Sequence, residues 1–212
     1  MIKAENPDIA RARELILSHG WNSTSFQVIN PGIKRWFPAK ADAVVGYVSA
    51  SKIRVVVGAP VCSIERLSDV VAEFEADASR SNENVCYFGA EHRLDSLLAD
   101  SQNHTRFLLG AQSVWRPSAW SAIVAGNSSL RSQVNRAKNK GVAVSEWPIE
   151  KARRHPQLQE CLDEWLDSKG LPPLHFMIET DTLGRLENRR VFVAEWKRGV
   201  AGFVVVSPVT TR

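Results

Sequence analysis

Residues 43–58, AVVGYVSASKIRVVVG, set the fold class of this 212-residue chain. The runs Ala43–Val48 and Ile53–Gly58 are rich in β-branched residues, whose side chains pack well on a pleated surface. Only a few residues separate them, which predicts an antiparallel hairpin. Downstream, Leu67, Val70, Val71 and Phe74 recur at helical spacing within residues 64–78. Residues 85–88 then read as a strand, 94–100 as a short helix and 107–114 as another strand. Upstream, residues 8–19 read as a helix capped near Asn6 or Asp8 and closed by Gly20.

After Pro117 the pattern restarts. Residues 120–124 read as a strand, 129–140 as a helix, 142–147 as a strand, and 158–168 as an amphipathic helix. The last places Leu158, Cys161, Leu162, Trp165 and Leu166 on its apolar side. Residues 170–188 are irregular, since Pro172-Pro173 cannot continue a helix. The runs Val191–Trp196 and Val200–Val206, joined by Lys197-Arg198-Gly199, predict a second hairpin. Hairpins and helices in each half give an α/β chain with mixed sheets flanked by helices. The expected domains are residues 1–117 and 118–212. The second is expected to be incomplete, because Val209-Thr210-Thr211-Arg212 follows an apolar strand with no covering helix.

The charge is unevenly placed. Residues 1–128 carry 13 Lys+Arg and 13 Asp+Glu, whereas residues 129–212 carry 14 and 10, so the whole formal surplus of +4 lies in the second part. Within residues 129–154 the counts are 7 and 2. This local excess fits an acidic partner such as phosphate, nucleic acid or a lipid headgroup. Cys62, Cys86 and Cys161 suggest neither a disulfide framework nor a CxxC motif, and fit a reducing cytoplasm. No apolar run approaches the roughly 20 residues that span a bilayer, and residues 1–7 lack a signal peptide's apolar stretch.

The centre of that excess is the segment 128–141, SSLRSQVNRAKNKG, with four cations and no carboxylate. On a helix, Leu130, Val134 and Ala137 form one stripe, flanked by Arg131 and Lys138 on one side and Arg136 and Lys140 on the other. Ser128 or Ser129 is expected to cap the start, and Gly141 suits the left-handed residue that ends it. Such a helix is either an ordinary solvated face or a surface that meets an anion.

The residues resemble the C-terminal catalytic domain of phosphatidylglycerol lysyltransferases and its soluble relatives. The resemblance is carried above all by Ser129-Leu130-Arg131-x-x-x-Asn135-Arg136-Ala137-x-x-x-Gly141-Val142. It extends through Val57-Gly58-Ala59-Pro60-Val61, Tyr87-Phe88-Gly89-Ala90-Glu91, Glu164-Trp165-Leu166, Leu171-Pro172-Pro173-Leu174-His175-Phe176, Val191–Glu195 and Gly202-Phe203. It implies two GNAT-like acyltransferase folds in tandem, the first degenerate and the second carrying the active site. It also implies transfer of an aminoacyl group from a charged tRNA to a lipid headgroup or another hydroxyl or amine. The expected place is the cytoplasm, with peripheral contact at the inner face of an anionic membrane as a further option. Set against the family pattern, this sequence is expected to end before the later strands and helices that complete the second fold.

Two alternatives stay open. A CoA thioester could replace aminoacyl-tRNA as donor, but the Gly-rich Q/R-x-x-G-x-G/A turn that would receive its pyrophosphate is absent from residues 1–128, and its place in the second half lies beyond Arg212. The chain could also be a non-catalytic module that binds an anion or a protein. No permanently bound cofactor is expected. The histidines lack metal-ligand spacing, so no metal site is expected.

Aminoacyl transfer requires an oxyanion to be stabilised and a proton to leave the nucleophile. Arg131, Asn135, Arg136, Lys138 and Lys140 are the candidates for phosphate or tRNA contact. His175, Glu179 and Asp181, in the irregular stretch, are the candidates for a general base, with His175 nearest neutral pKa. The seven tryptophans are dispersed singly, which favours packing over nucleic-acid stacking for each.

Overall fold

A computed structural model describes residues 6–168, 182–197 and 199–210. The chain opens with α1 (Pro7–His19), whose first turn is capped by Asn6 Oδ1 accepting from Asp8 N at 2.9 Å. A 3-10 turn (Ser23–Ile29) follows, then β1 (Lys34–Trp36), β2 (Val45–Ala50) and β3 (Ile53–Val57). Next come α2 (Leu67–Arg80), β4 (Asn84–Phe88) and α3 (Glu91–Leu98). The remaining elements are α4 (Trp120–Gly126), α5 (Ser128–Asn139), β5 (Ala143–Trp147), α6 (Ile149–Ala152), α7 (Pro156–Asp167), β6 (Arg190–Trp196) and β7 (Gly199–Val206).

These elements form two compact units. The first runs to Arg106 and takes back Ser207–Thr210; the second comprises residues 107–168 and 182–206 among those described. In the first, the order is β1-β2-β3-β4, with β2 and β3 antiparallel as the hairpin reading predicts. Strand β4 lies parallel to β3, Ile53 opposite Asn84 and Val57 opposite Phe88, so α2 is the crossover between them. Buried Leu67, Val70, Val71 and Phe74 of α2 pack with Val45 and Val56 of the sheet. A second cluster joins Ala12, Leu15 and Ile16 of α1 to Phe26, Val28 and Ile29 of the 3-10 turn. That turn lies so close to β2 that a Cβ at Gly46 would sit 2.8 Å from Val28 Cγ2. The return of the chain is fixed by Thr210, whose amide donates to the Gly20 carbonyl at 3.3 Å and whose hydroxyl donates to the Leu17 carbonyl at 2.6 Å.

The second unit holds an antiparallel sheet in the order β5-β6-β7. One face packs Trp147, Val191 and Val193 with Ala152, Leu158, Leu183 and Leu186. Alternation puts Phe192, Ala194 and Val204 on the opposite face, which is less covered: Val144 is 67% and Val204 59% exposed.

Three expectations from the sequence are corrected. Residues 120–124 form the helix α4, not a strand. A short apolar run does not discriminate the two, and the Pro117–Ala119 3-10 turn with Ala122 and Ala125 favours helix. Residues 107–114 form no strand; Phe107 is 79% and Leu108 92% exposed, and no neighbour among the described residues takes up their backbone groups. Trp165 is 47% exposed, while Leu158 and Leu162 carry the buried face of α7.

Within the first unit, Arg54 of β3 is a buried cation with its charge answered. Its Nε bonds Glu83 Oε2 and its Nη1 bonds Asp77 Oδ2, both at 2.6 Å, and Nη2 bonds Ser81 Oγ at 3.1 Å. The guanidinium also lies 5.2 Å from the Tyr47 ring centroid and 5.4 Å from that of Phe74. Hydrogen bonds from Arg54 hold the Asp77 and Glu83 carboxyls below the usual carboxylate range. Removing the guanidinium leaves Glu83 without its ion-pair partner and Asp77 with only the exposed Arg80 at 2.9 Å, so Arg54→Met should lower stability by about 3 kcal/mol in denaturant unfolding. Because the folded carboxyls have depressed pKa values, their contribution is complete above the unfolded values of about 4 and is lost as pH falls through the folded ones. The denaturation midpoint should therefore drop below about pH 4 in the wild type, and by less in Arg54→Met.

Candidate functional site

The basic segment folds as the helix α5, and both its ends are closed. Asn127 is the N-cap, its Oδ1 accepting from Leu130 N at 3.0 Å. The cap expected at Ser128 or Ser129 is thus one residue or more too late: both serines are already helical, and the preceding asparagine supplies the acceptor. At the other end Gly141 takes φ +78°. Its amide donates to the Lys138 carbonyl at 2.9 Å, and the Val142 amide donates to the Ala137 carbonyl at 3.0 Å. This is the paired closure that a left-handed glycine permits. A third bond comes from the sheet: Trp196 Nε1 donates to the Lys140 carbonyl at 2.9 Å.

Between these ends α5 is shallow. Leu130, Val134 and Ala137 are half-buried, as the stripe predicts, and no residue of the helix is fully buried. Arg131, Asn135, Arg136, Lys138 and Lys140 are all exposed. Arg131 is not simply free, since its Nη1 donates to the Ala125 carbonyl of α4 and braces the corner between the two helices. The side chains of Arg136, Lys138 and Lys140 have no hydrogen-bond or ion-pair partner among the described residues. By contrast, Arg190 lies in a two-pronged pair with Glu146, at 2.8 Å from Nε to Oε1, and its hydrogen bonds hold that carboxyl low. Arg153 pairs with Glu187 at 2.7 Å.

The primary structure explains why the α5 cations lack partners. No Asp or Glu occurs between Asp100 and Glu146, so neither the helix nor its flanking segments can neutralise them. Exposed charges in such a field attract anions at range. The guanidinium of Arg136 can grip a phosphate with two N–H groups, whereas the lysines act as point charges.

The other candidates fare differently. His175, Glu179 and Asp181 lie outside the described residues. Among the described residues there is no group of His, Cys, Asp and Glu able to hold a metal ion, and no helix long and apolar enough to cross a membrane. The tryptophans divide in a way the sequence did not reveal: Trp21 and Trp147 are 5% exposed, whereas Trp115, Trp120 and Trp196 are 61%, 45% and 41% exposed. A polar chain in the first unit also escaped the sequence reading. Tyr87 donates its hydroxyl to Glu75 at 2.9 Å, and His104 bridges Glu75 at 3.0 Å and the Ser101 hydroxyl at 2.7 Å. Burial and the Glu75 carboxylate push the Tyr87 hydroxyl well above its ordinary pKa. The chain ties the segment after α3 to α2.

The family model described as phosphatidylglycerol lysyltransferase, C-terminal, matches residues 13–212. Among solved structures, the C-terminal domain of a putative lysylphosphatidylglycerol synthetase from Agrobacterium fabrum superposes with a TM-score of 0.82 at 18% identity, over 96% of this chain and 64% of that one. L-PGS from Bacillus licheniformis superposes with a TM-score of 0.74 at 18% identity, over 99% of this chain and 64% of that one. This chain therefore spans slightly under two thirds of the length of each. No curated protein matches. The likeness gives the fold as GNAT-like, in agreement with the mixed β1–β4 sheet and the helices described above.

Since α5 is held chiefly by its ends, Asn127→Ala should cost about 1 kcal/mol of stability by denaturant unfolding. Asn127→Asp should retain most of it, because a carboxylate still accepts from Leu130 N and favours the positive end of the helix dipole.

Proposed function

The chain belongs to the phosphatidylglycerol lysyltransferase C-terminal family, and from that premise we propose that it is part of a transferase that takes an aminoacyl group from aminoacyl-tRNA, with α5 gripping the tRNA phosphates. The observation that carries this reading is the row of Arg136, Lys138 and Lys140, exposed and without partners in a stretch that holds no carboxylate. A helix that merely covers a sheet gains solubility from mixed charge. An all-cationic one repels itself unless an anion answers it.

The reaction is attack by an acceptor hydroxyl or amine on the aminoacyl ester carbonyl. The new acyl bond forms, the ester bond to the tRNA breaks, and the acceptor's proton passes to a base and then to the departing ribose oxygen. The acceptor is a lipid headgroup or another hydroxyl or amine. In this scheme α5 positions the donor and performs no chemistry, since protonated guanidinium and ammonium groups are donors with no lone pair to take a proton. His175 is the proposed base, with Glu179 and Asp181 as the other candidates, because imidazole is the side chain nearest the working pH.

Binding of aminoacyl-tRNA, measured across a salt series, tests the grip. Three phosphate contacts give a slope of log K against log salt of about −2 to −3, and Arg136→Gln/Lys138→Gln/Lys140→Gln should reduce it by about 2 units or more. A flat profile for the wild type, or an unchanged slope in the triple variant, contradicts the reading. In the whole protein, His175→Ala should lower transfer at least about tenfold while leaving tRNA affinity in place; full transfer removes His175 as the base.

A further inference from the structure

Trp196 lies at the end of β6 with 41% of its surface exposed, although the large apolar rings of Trp21 and Trp147 in the same chain are buried. Its position is not loose. The indole N–H donates to the Lys140 carbonyl at 2.9 Å, which pins the ring against the C-terminal turn of α5. The ammonium of Lys197 lies 4.3 Å from the ring centroid, and Lys138 and Lys140 belong to the turn to which the ring is pinned. One fixed, exposed aromatic surface thus has an ammonium group against it and is bonded to the helix turn that carries two more lysines.

A structural role accounts for only part of this. The bonds from Gly141 and Val142 already answer the Lys138 and Ala137 carbonyls, and the indole N–H answers a further one. That service needs the N–H edge, not an open ring. Aromatic rings interleaved with cations are the chemistry of single-stranded nucleic-acid binding, in which a base stacks on the ring and neighbouring phosphates lie on the cations. Duplex RNA offers no free base face, so the fitting ligand is an unpaired nucleotide. The flexible Lys197 stem lets its ammonium leave the ring for a phosphate as a base arrives.

We propose that Trp196 is a stacking platform for an unpaired nucleotide of the RNA whose phosphates α5 grips, with Lys197 and Lys140 as its phosphate contacts. This rests on the tRNA reading of α5 and adds to it which part of the RNA is met: the single-stranded end, not the paired stem. It also gives the exposed Trp196 a role that even dispersal of the tryptophans argues against.

The test compares a tRNA with its unpaired 3′ nucleotides intact and the same tRNA trimmed of them, titrated against wild type, Trp196→Leu and Trp196→Phe. Trp196→Leu should weaken binding of the intact tRNA by about tenfold, with little effect on the trimmed one. Trp196→Phe, which keeps a ring but loses the N–H bond, should recover most of the difference. Equal affinity of Trp196→Leu and wild type for intact tRNA overturns the proposal. So does an equal loss on both tRNAs, which marks Trp196 as an anchor of α5 alone. If Trp196→Leu does not fold, as judged by circular dichroism, the wild type decides: it should bind the intact tRNA more tightly than the trimmed one, and equal binding overturns the proposal. If the wild type binds neither tRNA, the reading of α5 falls. A short single-stranded oligonucleotide then judges the platform by itself: fluorescence quenching that Trp196→Phe abolishes supports it, and no quenching overturns it.

Discussion

A helix of 12 residues with no carboxylate and no fully buried side chain is held in the second unit mainly at its ends. To the closures at the two ends, the bond from the Trp196 indole to the Lys140 carbonyl adds a directed contact with the β6–β7 hairpin. Asn127 at one end and Gly141 with Val142 at the other satisfy backbone groups that would otherwise need water. With those groups answered, the flanks can carry charge without unravelling the helix. Lys138 and Lys140 lie where the helix dipole is negative, which offsets part of their mutual repulsion. The helix is therefore stable enough to present cations and shallow enough to leave them in water.

Arg54 of the first unit and the α5 cations of the second are handled in opposite ways. In the first, Arg54 is enclosed by Asp77, Glu83 and Ser81 and lies over two aromatic rings, so its charge is consumed by the fold. In the second, Arg136, Lys138 and Lys140 meet no acid among the described residues. A buried, answered charge specifies structure; an exposed, unanswered one is available to a partner. The local charge excess is thus more informative than the net charge of the chain, which is small.

Most of the fold was legible. The hairpins at 45–57 and 190–206, the crossover helix α2 and the basic helix all follow from short-range periodicity, and the left-handed Gly141 from its place after the last helical turn. The errors have local causes. Trp120–Val124 is apolar and short, so spacing cannot choose between strand and helix. Phe107–Val114 has strand composition, but composition does not supply a neighbour to pair with. The cap of α5 was sought among the serines because hydroxyls are good caps, although Asn127 is equally good and lies immediately before the first helical residue, Ser128. The site was legible as charge but not as geometry. Spacing along the chain could not bring Trp196 to Lys140, 56 residues away. The absence of any acid between Asp100 and Glu146, by contrast, was visible from the start and is the clearest sign of the surface.

Backbone hydrogen exchange with and without tRNA tests the central claim most directly, because it reads every segment of both units at once. The account predicts slowed exchange over α5, the Gly141–Val142 turn and the Trp196 end of β6 when tRNA is added, and little change across β1–β4 in the first unit. Protection confined to the first unit, or no protection anywhere at a tRNA concentration that saturates binding, would contradict it.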